Sequence, residues 1–300
     1  MAIFEIKPGI SCATQSNVKK NTPRMPIPVL DLRSVLAFNQ SHIINSASFP
    51  IEELSDRLHE LPVRTRPIEL FGSLEQLQKA TAFLSGKGYL IVNRQVASEK
   101  KLLQLKQSEK LVSGGAYQRL WQPAAIVKRF IQSYAADCEN KSGLDLACGS
   151  GRDSVYMSMQ GFTMTAIDYL PSALEKLSDL AGRCEQSIHV IQLDLEKTSE
   201  ETNKNPFEVL AGPFGCVTVV RYLHRPGLAQ LKSLIDVGGY IVYQTFMKGC
   251  EEFGSPKNPR FLLEAGELAN IFSDFEILVD DVEYLADGRP TNCFIAKRII

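Results

Sequence analysis

The sequence predicts an α/β protein of two domains, the second built on a mostly parallel seven-stranded sheet. Three observations carry this. The chain has 300 residues, more than a single hydrophobic core usually serves. Short apolar runs alternate with amphipathic helical segments, the pattern of parallel strands with helices packed on their faces. One of these runs, 144–146, enters a glycine-containing turn and then a helix, the place where an open α/β sheet takes its ligand.

Taken in order, residues 1–26 lack the apolar core of a secretory signal and turn polar from Cys12 to Pro26, so they read as a flexible lead-in. A first domain over 27–95 has a strand at Val29-Leu30-Asp31-Leu32-Arg33 and a segment His42-Ile43-Ile44-Asn45-Ser46-Ala47. A buried strand at 67–71, a loop at 72–76, a helix at 77–85 and a closing strand at 88–92 complete it. Residues 96–112 are charged and read as a linker or a short helix with a solvated face. The second domain, 113–300, opens with the only tryptophan, Trp121, ahead of an amphipathic helix at 124–136. Strands follow at 144–146, 163–167, 188–195, 216–220, 238–246, 276–279 and 293–296, the last antiparallel.

The turn is Asp145-Leu146-Ala147-Cys148-Gly149-Ser150-Gly151-Arg152-Asp153-Ser154. Gly149 and Gly151 allow a sharp backbone turn and let a ligand reach the peptide groups and the first turn of the helix. Asp168 ends the next strand, where a carboxylate can accept both hydroxyls of a ribose, with Tyr169 beside it. Asp194, with Leu195 next to it, ends the third strand and can accept from an adenine amino group. A dinucleotide site wants a third glycine where Ser154 stands, and a pyrophosphate gains nothing from Asp145 or Asp153. A sulfonium and an ammonium gain from both. The acid-first loop therefore favours S-adenosylmethionine as cofactor, with Arg152 as a candidate ligand of its carboxylate.

On the acceptor side, Arg221, Tyr222 and His224 follow the fourth strand at the active edge of the sheet and are the catalytic candidates. His224 suits a base near neutral pH, or else it caps the turn at Pro226. The long insert at 247–263 reads as functional, and Arg221, Arg225, Lys248 and Arg260 are candidate anion contacts. Lys and Arg number 33 against 34 Asp and Glu, a formal net charge of −1, so no global basic field recruits nucleic acid. The seven Cys lack paired short spacing, which argues against a disulfide framework and a zinc site; no metal is expected. No apolar run is long enough to span a bilayer, and a cytoplasmic location is the expectation.

At the turn and its downstream strands the chain resembles the class I S-adenosylmethionine-dependent methyltransferases, from about Leu111 to Ile300. The turn itself is similar to that of the tellurite-resistance and thiopurine methyltransferase branch. The resemblance implies a Rossmann-like fold and methyl transfer to a small-molecule acceptor that it does not identify. It also places the segment ahead of the first core strand over the cofactor. There Arg119 can hold the methionyl carboxylate and Trp121 can form a flat wall; a Trp121 that simply packs the segment on the core fits the sequence as well.

The first domain resembles the rhodanese-like fold, in which an Asp-x-Arg strand end precedes a His-Ile-x-x-Ala segment. Sulfur transfer needs a thiolate at the start of the loop after the buried strand, where this chain has Phe71, Gly72 and Ser73. The resemblance thus implies an inactive module kept for packing, self-association or a protein partner, with His42 stabilising the fold. A second functional reading follows from it: a cofactor-binding regulatory or scaffolding protein that uses the inactive module to bind partners.

Overall fold

The two apolar patterns fold into two sheets. The computed structural model describes residues 26–115, 117–197 and 206–300, so the lead-in over 1–25 lies outside the described residues. The first unit runs β1 (Val29–Asp31), α1 (Val35–Gln40), β2 (His42–Ile43), β3 (Ser46–Ser48), β4 (Ile68–Gly72), α2 (Leu74–Gly86), β5 (Ile91–Val96), α3 (Glu99–Gln107) and β6 (Leu111–Val112). Its four-stranded sheet has the order β3-β1-β4-β5 with every pair parallel. The Asp-x-Arg strand end is an ion pair, Arg33 Nη2 to Asp31 Oδ2 at 2.6 Å, and the same guanidinium donates to the Ser41 carbonyl at 2.7 Å. His42 stacks on Phe38 with ring centroids 3.8 Å apart, and its Nδ1 lies 3.0 Å from the Phe38 carbonyl oxygen.

Two sequence expectations need correction here. Of the two readings of 96–112, a linker or a short helix, the helix holds and the linker does not: β5 runs to Val96, α3 (Glu99–Gln107) buries Leu105 against Val29 and Phe71, and β6 pairs antiparallel with β2. The apolar positions of α3 are too few to have shown its packed side. Nor is there a loop at 72–76. Strand β4 ends at Gly72 and α2 begins at Leu74, because Ser73 caps the helix: its Oγ accepts the Gln76 N–H while its own N–H donates to Gln76 Oε1. That reciprocal pair satisfies two amide donors within one residue of connection.

The second unit continues through α4 (Ala125–Ser133), β7 (Ser142–Leu146), α5 (Arg152–Met159), β8 (Thr163–Asp168), α6 (Pro171–Arg183), β9 (His189–Gln192), β10 (Phe214–Val220), α7 (Leu228–Leu234), β11 (Ile235–Phe246), α8 (Glu267–Ile271), β12 (Glu276–Tyr284) and β13 (Pro290–Lys297). Its sheet has the order β12-β13-β11-β10-β7-β8-β9, and β13 runs opposite to the other six strands. The last two strands are longer than their apolar runs. Helices α4, α5 and α6 cover one face through Phe130, Val155 and Leu180, while α7 and α8 cover the other through Leu231 and Leu268. No described helix is long and apolar enough to cross a membrane.

Consecutive residues join the units. In the extended stretch before α4, neighbouring side chains point in opposite directions. Leu120 enters the core of the first unit and Trp121 that of the second. Around them Glu60, fully buried, accepts from both Nε and Nη2 of Arg57, from Arg183 at the end of α6, and from the Tyr117 hydroxyl. These donors outweigh the cost of burial and hold the Glu60 pKa below the usual carboxylate range.

Candidate functional site

Strand β7 delivers the chain to the carboxyl edge of the sheet, and the turn after it reverses within a few residues. Ala147, Gly149 and Gly151 have φ of 56°, 56° and 75°, the left-handed region that glycine enters without strain. At Gly151 a Cβ would lie 2.2 Å from Leu177 Cγ on α6, whereas at Gly149 it would meet nothing within 4 Å. One glycine is needed for close helix packing and the other leaves open space at the turn. The turn is held by Asp168, only 8% exposed at the end of β8. Its Oδ2 accepts the Gly149 N–H at 2.9 Å and its Oδ1 the Leu170 N–H at 3.0 Å. Each oxygen keeps a further lone pair for a ligand.

Beside this carboxylate lies a cavity of about 440 Å³ lined by Ala147, Asp168, Tyr169, Leu193, Asp194, Leu195, Glu196, Lys197 and Tyr222, a size usual for small-molecule sites. Asp194 stands just past the end of β9; its Oδ1 accepts the Glu196 N–H at 3.0 Å and its Oδ2 is 3.3 Å from Lys197 Nζ. The Tyr222 hydroxyl is buried and has no hydrogen-bond partner among the described residues. Burial, then the carboxylates of Glu196, Asp194 and Asp168, push its pKa up, so it stays a proton donor. A larger groove of about 920 Å³ on the first unit, between Gln40, α3 and the β2–β6 ribbon, shares no residue with this site.

Beneath the turn Asp145 is 2% exposed and accepts from Ser154 Oγ. Burial and the nearby Asp153 carboxylate push its pKa up to about 7. Asp153 in turn accepts the Ala124 N–H at 2.6 Å, pinning the start of α4 to the turn; Ala124 is 29 residues away, so no local pattern announces the contact. Burial raises the Cys148 pKa, with Asp145 and Asp168 adding to it, which keeps that thiol protonated and unreactive. Arg221, after β10, has a φ of 60°. Burial and the repulsion of Arg152 and Arg289 lower its pKa, with Asp153 and Asp287 opposing. Arg152 and Arg221 form no ion pair among the described residues.

The structure thus brings Asp168, Tyr169, Asp194, Leu195 and Tyr222 around one cavity, with Gly149, Gly151, Arg152 and Arg221 at the turn. It separates others. Trp121 is not a wall of this cavity: it is fully buried among Ile126, Val127 and Phe130, and its Nε1 donates to the Tyr117 hydroxyl at 2.9 Å. The Arg119 guanidinium lies over the rings of Trp121 and Tyr156, 5.2 Å from each. His224 precedes the turn at Pro226 without capping it by its side chain. Arg225 is occupied by Glu267 and by the carbonyls of Arg260 and Leu262, Lys248 by Glu264, and Arg260 faces Glu196 at 3.8 Å. Among the four proposed anion contacts only Arg221 is left unpaired.

The family model "Tellurite resistance protein TehB" matches residues 133–287, from the end of α4 to past β12. The chain belongs to the TehB family of class I S-adenosylmethionine-dependent methyltransferases. The "Probable S-adenosyl-L-methionine-dependent methyltransferase TehB" of Haemophilus influenzae is 26% identical over 140 residues, 45% of this chain and 46% of that protein. "Uncharacterized protein UNK4.09" of Schizosaccharomyces pombe is 25% identical over 327 residues, 93% of this chain and 96% of that protein, so the match runs through both units. The crystal structure of TehB from Haemophilus influenzae aligns with a TM-score of 0.44 at 17% identity, over 63% of this chain and 79% of that one.

Proposed function

We propose that the chain transfers a methyl group from S-adenosylmethionine, held in the cavity at Asp168, to a small anionic acceptor beside Tyr222 and Arg221. One observation carries the reading: a buried strand-end carboxylate fixes a glycine turn whose outer side is open, and both face a cavity containing an unpartnered phenol. These residues fit the cofactor. Asp168 has lone pairs for the ribose hydroxyls, Asp194 for an adenine amino group, and Leu195 and Tyr169 offer apolar surface to the base. Arg152, with Arg119 as the alternative, suits the methionyl carboxylate. Bound there, S-adenosylmethionine supplies a methyl group already activated by the sulfonium.

What remains for the protein is positioning and electrostatics. Arg221 attracts an anionic acceptor, Tyr222 donates a hydrogen bond that orients it, and His224 takes the proton from acceptors that carry one. The first unit, in this reading, is a rhodanese-like module without sulfur-transfer chemistry. Calorimetry with S-adenosylhomocysteine tests the proposal. Asp168→Ala removes the acceptor of two hydroxyls and unties Gly149, which should cost about 1–3 kcal/mol, a loss of about 5- to 150-fold in affinity. Equal affinity in the two proteins removes Asp168 from the site. No affinity in the wild type refutes the whole reading.

A further inference from the structure

Arg221 and Tyr222 leave the sheet by a turn that their residue types do not favour. Arg221 has a φ of 60°, a conformation that a side chain disfavours about 5- to 30-fold. Two hydrogen bonds from β11 bracket the pair. The Arg221 N–H donates to the Gln244 carbonyl at 2.7 Å, and the Tyr243 hydroxyl donates to the Tyr222 carbonyl at 2.8 Å. The first extends the ladder between β10 and β11, whose last pair is Val220 with Gln244. The second depends on one side chain. Tyr243 is 1% exposed and lies between Val219 and Phe294 of the neighbouring strands. Its hydroxyl has no other hydrogen-bond partner among the described residues. A phenylalanine would fill the same space without a hydroxyl that is costly to bury unpaired.

We infer that Tyr243 is a positioning residue for the acceptor side of the site. Its hydroxyl, acting through the Tyr222 carbonyl, holds Arg221 in the left-handed turn that sets an unpaired guanidinium at the carboxyl edge of the sheet. The inference rests on the acceptor role proposed for Arg221. That side chain keeps contact with solvent, so an acceptor can reach it. Each hydrogen bond is worth about fivefold. The two together, about 25-fold, match the penalty of the turn, whereas one alone matches only its lower limit.

Glycine against alanine at position 221 measures how strongly the turn is enforced, because glycine enters it without strain. The stability advantage of Arg221→Gly over Arg221→Ala is read by denaturant unfolding, with Tyr243 in place and again in the Tyr243→Phe background. The advantage should be about fivefold larger with Tyr243, since alanine relaxes out of the turn once the hydroxyl is gone. The extra freedom of unfolded glycine is the same in both backgrounds and cancels. The coupling between the amide and α protons of Arg221, which reads φ directly, should leave its left-handed value in Tyr243→Phe. A hydroxyl that only satisfies the core moves neither readout. Equal advantages in the two backgrounds, or an unchanged coupling in folded Tyr243→Phe, overturns the inference. If Tyr243→Phe does not fold, alanine more stable than glycine in the otherwise native chain overturns it. Failure of the wild type to bind S-adenosylhomocysteine is a separate result: it removes the acceptor side itself and leaves both readouts as they are.

Discussion

Cofactor binding should expel a proton from Asp145. This carboxyl lies beneath the glycine turn with its pKa pushed up to about 7 by burial and by Asp153. A cation arriving above the turn favours the charged form and lowers that pKa. If the bound value falls below about 5, about half a proton leaves at pH 7, about 0.9 at pH 6 and about 0.1 at pH 8. Affinity should then rise about tenfold from pH 6 to pH 8 and flatten above. The sign for folding is opposite. The unfolded carboxyl ionises near 3.8 while the folded one holds its proton to about 7, so without cofactor its contribution to stability declines as pH rises across that window. Calorimetry with S-adenosylmethionine, which carries the sulfonium, in buffers of different ionisation enthalpy counts the protons. The ligand's own amino group titrates nearby, so the difference between wild type and Asp145→Asn isolates the carboxyl. Equal proton counts in the two proteins at pH 7 would refute the reasoning.

Two further outcomes follow. Arg225→Met removes an ion pair and the bonds to three carbonyls that tie the 259–262 turn to α8; it should cost about 2 kcal/mol and lower Tm by about 5 °C. S-adenosylhomocysteine affinity should stay intact, and an unchanged melting curve would show that the clamp is idle. The protein should also release no thiocyanate from thiosulfate and cyanide above the uncatalysed rate, because Ser73 caps α2 where a thiolate loop would be needed; robust turnover would contradict this.

The glycine turn and the acids at the strand ends were legible because their pattern is local: they occupy fixed places in a βα unit. The pairing of the cations after β10 was not. Arg225 reads as a spare cation until Glu267, 42 residues on, is seen to hold it. Ala147 in the left-handed region leaves no mark in the sequence, since only glycine announces such a position. Trp121 fitted a roof or a core equally well, and the apolar residues that bury it come from α4, α5 and α6 together. The stretch 96–112 left a linker and a short helix both open because its charged exposed side outnumbers the few residues that dock it.

The adjacent plugs Leu120 and Trp121, with Glu60 between the two units, bear on how this chain can change over time. The first unit can vary in its exposed residues, but it cannot be deleted without cost to the second. Truncation would strip Arg183 and Tyr117 of their shared carboxylate and expose the leucine that had filled the other core. The first unit is thereby a buttress: selection can act on its shape through the fold of the whole chain, independently of any chemistry there.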